Sequence, residues 1–110
     1  MKYIYGRGPV MEAIKNKEVE KIKSKILPVL KKNKVKRAGI FGSYSRGEQK
    51  NKSDIDLVVN IDNPDMSLIG FIKLTKILED LLNKKVDLVE YDAIKPRIKK
   101  KILDEEIRII

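Results

Sequence analysis

The chain has 110 residues with 25 Lys and Arg against 16 Asp and Glu, a formal net charge of +9, and neither His nor Cys. That length holds one domain with a modest core, and the missing His and Cys exclude disulfides, thiolate or imidazole catalysis and the usual zinc sites. No apolar run approaches the roughly 18 residues of a membrane span and the N-terminus has no signal pattern, so a cytoplasmic protein without a membrane partner is expected.

Residues 1–8 hold Gly6-Arg7-Gly8 and read as a short extended arm. No apolar strand precedes those glycines, so they suit a flexible lead-in better than a phosphate loop. The arm and the first helical turns occupy residues 1–17, and the folded domain spans 18–110. From Pro9 to about Asn33 the pattern is helical in two pieces, with Val19, Ile22, Ile26, Val29 and Leu30 on one face and Pro28 expected to bend or break it. The lysines opposite that face read as solvated, since no aromatic residues are interleaved to stack on bases.

Val35 to Phe41 is an apolar first strand, Gly42 to about Gly47 turns into a short helical piece, and Glu48 to Lys52 is a charged loop. Ser53 opens a second strand that runs to about Ile61, where Asn63-Pro64-Asp65 breaks it. Ser67 to Leu82 is the clearest helix, with Ser67 as N-cap and Leu68, Phe71, Ile72, Ile77, Leu78, Leu81 and Leu82 expected in the core. A third strand follows at Lys85 to Glu90. Tyr91 to Ile94 is a loop, Lys95-Pro96-Arg97 opens a last helix to about Glu106, buried through Ile98, Ile102 and Leu103, and Ile107 to Ile110 is an apolar tail.

Two stretches carry the chemistry. Gly42-Ser43 ends an apolar strand, where exposed N–H groups and a small hydroxyl suit a phosphate. Ten residues later Asp54 and Asp56 flank Ile55 in a β-branched run, so on a strand both carboxylates share one face, roughly 6.5–7 Å apart. Two such carboxylates with no Lys or Arg between them are kept ionised most simply by a divalent cation, and oxygen ligands favour magnesium or manganese. Asp87 puts a third acid into the apolar run Val86–Val89. If its strand lies beside the second, Asp87 joins Asp54 and Asp56; otherwise it is an edge-strand charge facing water.

Gly-Ser, ten residues and Asp-x-Asp, between apolar strands, resembles the signature of nucleotidyltransferases related to DNA polymerase β. Size, motif order and the closing Lys-Pro-Arg-Ile helix resemble the minimal nucleotidyltransferase family in particular, from roughly residue 18 to the end. The resemblance implies an α/β fold of a small mixed sheet backed by helices. It implies that Asp54, Asp56 and Asp87 hold two Mg2+ ions (or Mn2+) as catalytic ligands, with Asp87 at the attacking hydroxyl. It also implies that Gly42, Ser43, Arg46 and Ser53 bind the nucleotide. Members paired with a HEPN-domain toxin act as antitoxins, transferring AMP from ATP to a toxin tyrosine in a complex of the two proteins.

Two readings from other classes stand beside this enzyme. One is a binding module that neutralises its partner by occlusion, with a vestigial nucleotide site. The other is a basic RNA-binding module, for which the +9 charge speaks; the same Lys-rich, Cys-free composition also fits thermophile surfaces laced with ion pairs.

Overall fold

The computed structural model describes residues 9–110, with side chains described from Lys17 onward. The expected arm at residues 1–8 lies outside the described residues. The elements run α1 (Pro9–Lys32), β1 (Val35–Phe41), α2 (Ser43–Arg46), β2 (Ile55–Ile61), α3 (Leu68–Leu82), β3 (Val86–Glu90), a 3-10 turn (Tyr91–Ala93), α4 (Pro96–Glu105) and β4 (Ile107–Arg108). The four strands form one sheet in the order β3-β2-β1-β4. β1 is antiparallel to both β2 and β4, while β2 and β3 are parallel, the crossover between them being α3.

Alternation along the strands gives the sheet two unlike faces. Ala38 and Ile40 of β1, with Ile55, Leu57 and Val59 of β2 and Val86 and Leu88 of β3, pack into the main core beneath α1 and α3. The helices contribute Val19, Ile22, Ile26 and Leu30 from α1 and Leu74, Leu78 and Leu82 from α3, each set at the spacing of one helical face. The opposite face is thinner. There Val58, Tyr91 and Ile102 form a small second core with Phe41, Val89 and Ile94 packed against it. The remainder of that face, toward the start of β3, carries acids.

Four expectations are corrected. α1 is one continuous helix through Pro28. Pro28 and Ser24 both lie on the exposed side of α1, away from the packed face of Val19, Ile22, Ile26 and Leu30 that holds the helix together. In α3 the buried positions are Leu74, Leu78 and Leu82, whereas Leu68, Ile72, Ile77 and Leu81, expected in the core, are exposed. In α4 only Ile102 is buried, and Ile98 and Leu103 lie open. The apolar tail is no loose end: Ile107 and Arg108 pair with Ile40 and Gly39, making a fourth strand, and Ile109 is buried.

A polar clamp ties the closing segment to the sheet. Arg37 Nη2 donates to Glu106 Oε1 at 2.7 Å, Tyr91 Oη donates to Glu106 Oε2, and the Arg37 guanidinium lies 4.2 Å from the centre of the Tyr91 ring. The Glu106 side chain is only 5% exposed, so both its oxygens need these partners. Gly39 makes room for it, since a Cβ there would collide with Glu106 Oε2.

Candidate active site

The turn after β1 is built on Gly42. Its φ of 76° and ψ of −147° lie where L side chains are rarely tolerated, close to a region that is essentially glycine's. Its carbonyl accepts from Ser45 N and Arg46 N, both at 3.1 Å, and from Ser45 Oγ at 2.8 Å. Ser45 and Tyr44 are buried and anchor the turn, leaving Ser43 half-exposed at the start of α2, where its own N–H and that of Tyr44 precede the first intrahelical bond. Gly47, at φ 72°, ends the turn.

β2 brings the acids to this turn. Phe41 pairs with Asp56 across β1 and β2, which sets Gly42 against the Asp56 carboxylate; a Cβ on Gly42 would collide with Asp56 Oδ2. Asp56 also pairs with Asp87 across β2 and β3. In the same register strand neighbours lie about 4.8 Å apart and present their side chains on the same face. The edge position of β3 and the exposure of Asp87 are real, and its partnership with Asp56 is real as well. Asp54 stands exposed just before β2, whose pairing begins with Ile55 N donating to Lys85 O at 3.0 Å.

The electrostatics agree with this placement. Burial pushes the Asp56 carboxyl above its ordinary value, and the negative charges of Asp87 and then Asp54 push the same way, while Arg46 opposes them. Three carboxylates thus face one guanidinium, a shortage of positive charge that a divalent cation with oxygen ligands fits. Among the described residues no three His, Cys, Asp or Glu side chains are gathered into a group that could hold a metal ion as they stand.

Arg46 reaches the site from α2, but its guanidinium is engaged elsewhere: Nε donates to Glu48 Oε1 at 2.9 Å and Nη1 to Glu105 Oε1 at 3.0 Å. Ser53 turns its hydroxyl inward to the loop, accepting from Lys50 N at 2.8 Å. Sequence reasoning missed the hold of Glu105 on Arg46, since the two are 59 residues apart and nothing local marks the pair. It also missed Phe41, whose place opposite Asp56 follows only from the antiparallel register.

The chain matches the family model described as "Polymerase beta, Nucleotidyltransferase" over residues 24–110. It is 45% identical over 92 residues to a candidate protein adenylyltransferase of Methanocaldococcus jannaschii, covering 84% of this chain and 98% of that one. It is 43% identical over 75 residues to the protein adenylyltransferase MntA of Thermococcus cleftensis, covering 68% of this chain and 75% of that one. In three dimensions it superposes on a chain from a crystal structure of a toxin-antitoxin with AMP-PNP, with a TM-score of 0.71 and 28% identity over 80% of this chain and 72% of the other. With the Gly-Ser turn set against paired aspartates on adjacent strands, the chain belongs to the polymerase β nucleotidyltransferase family.

Proposed function

We propose that the protein transfers AMP from ATP to a tyrosine hydroxyl of a HEPN-domain toxin and thereby acts as its antitoxin. The observation that carries this is the packing of Asp56 between the Gly42 turn and Asp87, which sets the Gly-Ser turn and an acidic pair side by side. The protein adenylyltransferase relatives and the nucleotide-bearing toxin-antitoxin neighbour support the same reaction class and a toxin as the partner.

Gly42 and Ser43 bind the β- and γ-phosphates through backbone N–H groups and the Ser43 hydroxyl. Arg46 exchanges its carboxylate partners for phosphate oxygens. Asp54, Asp56 and Asp87 would hold the divalent cations, which when bound supply positive charge for the triphosphate and acidify the attacking hydroxyl. Asp87 takes the proton of that hydroxyl. The hydroxyl oxygen bonds to the α-phosphorus, the bond from the α-phosphorus to the bridging oxygen breaks, and pyrophosphate leaves. The acceptor tyrosine belongs to that partner protein, so the working form in this reading is a hetero-oligomer of the two.

Growth rescue separates this reading from occlusion. Cells expressing the HEPN-domain protein of the same genome should be rescued by the wild-type chain and not by Asp54→Asn, with the complex still isolated intact. Rescue retained by Asp54→Asn would overturn catalysis in favour of a binding module.

A further inference from the structure

A groove of about 600 Å³ runs across the edge strand β3, between the start of α3 and the start of α4. Its walls are chiefly apolar, and include Phe41, Leu68, Phe71, Val89, Ile94 and Ile98. Leu68 is 75% exposed and Ile98 49%, and beside them on α3 Ile69 and Ile72 are open as well. Isolated apolar side chains on a surface need no explanation, but a contiguous set lining a concavity marks a place where another molecule is bound.

The sheet order says which part of the reaction this groove serves. β1 leads into the phosphate turn, β2 carries Asp56 and β3 carries Asp87, so the strands run from the triphosphate side to the acceptor side. The groove lies along this face, from Phe41 of β1 to Val89 of β3 and the helix ends beside it. Val89 is two residues on from Asp87 and shares its face, about 6.5–7 Å along the strand, and Phe41 stands opposite Asp56. A segment seated in the groove therefore passes its neighbouring residues over Asp87.

Charge narrows the occupant. Lys95 lies in the groove wall, and Arg97, Lys99, Lys100 and Lys101 follow on α4 outside the wall, none of the five in an ion pair among the described residues. Glu90 is the acid in the wall. A second copy of this chain would bring like charges to those cations, since it too carries +9. Resting on the transfer reaction proposed above, we infer that the groove docks the acceptor protein through a segment of bulky apolar side chains flanked by carboxylates, placing its hydroxyl at Asp87.

The test uses the purified full-length HEPN-domain protein of the same genome as probe. The chain is compared as wild type, as the double variant Leu68→Glu/Ile98→Glu, and as Ile77→Glu, which alters an exposed apolar residue of α3 outside the groove wall. Both groove residues are exposed and within the first turn of their helices, where Glu is tolerated, and melting curves check the fold. The expected result is at least about tenfold weaker binding and a similarly raised KM for the acceptor in the double variant, with KM for ATP unchanged and Ile77→Glu within about twofold of wild type. Unchanged binding in the double variant, or no binding by wild type, would overturn the inference. So would light scattering that shows a homodimer dissolved by the double variant, or an RNA oligonucleotide whose binding is lost in it while the protein's is not. Groove-dependent binding without AMP transfer would support docking and overturn the proposed reaction; transfer indifferent to the double variant would do the reverse.

Discussion

Gly42 and Asp56 are packed so closely that no side chain fits between them: the space a Cβ would take at Gly42 is held by Asp56 Oδ2. The backbone conformation that puts the turn there is also one that L residues avoid. Gly42→Ala should therefore act twice, costing about 1–3 kcal/mol for the sparsely populated positive-φ conformation and displacing the carboxylate. The expected outcome is a lowered melting temperature and a loss of AMP transfer of more than about tenfold, larger than the folding defect explains. Melting curves and kcat/KM for ATP measured together check it.

Asp56 predicts a gain in stability from a loss of function. Its carboxyl is held above the ordinary value by burial and by Asp87 and Asp54, so the folded state binds its proton more tightly than the unfolded chain does. That contribution is full below the ordinary carboxylate range and is lost as pH rises through the folded value, leaving a destabilising charge at neutral pH. Without divalent ions, Asp56→Asn should melt higher than wild type at pH 7, and the gap should close as pH falls into the carboxylate range. Transfer should drop by two orders of magnitude or more. A variant that melts lower at pH 7 would contradict the burial argument.

The Tyr91 phenol is pushed up to about 12, mainly by burial and then by its bond to Glu106 and that residue's charge. A raised folded value means stability present below the ordinary value of about 10 and lost between there and about 12. Thermal melts across that window should show the loss, and Tyr91→Phe should flatten this part of the profile. At pH 7 the same change should cost about 1–3 kcal/mol, because one oxygen of the buried Glu106 loses its donor.

Arg46 should matter to nucleotide binding and little to folding. Its ion pairs with Glu48 and Glu105 involve an exposed side chain, and such surface pairs are weak. Arg46→Ala is expected to raise KM for ATP about tenfold with a melting temperature close to wild type. An unchanged KM would remove Arg46 from the nucleotide site.

Strands β1 to β3 and the two acidic positions on neighbouring strands were legible because alternation, turn residues and the Gly-Ser and Asp-x-Asp spacing are all local. What escaped depends on the tertiary environment. A proline costs a helix one hydrogen bond and a ring clash with the preceding turn, and α1 continues through Pro28 because its packed face holds it together while the freed carbonyl lies on the exposed side. Apolar spacing in α3 fits several helical phases, and it was the sheet that selected Leu74, Leu78 and Leu82. β4 is two residues long, too short for any periodicity, and exists because β1 had an unpaired edge. Whether Asp87 was a site residue or an edge charge rested on strand order, which supplied the pairing with Asp56.

The most direct test is intact-mass spectrometry of the HEPN-domain protein after incubation with the chain, ATP and Mg2+, using the Asp54→Asn/Asp56→Asn double variant as control. A gain of one AMP mass or its multiples with wild type, mapped to a tyrosine and absent with the variant, is the predicted result. An unmodified partner in a stable complex with wild type would contradict the account and leave occlusion as the mode of action.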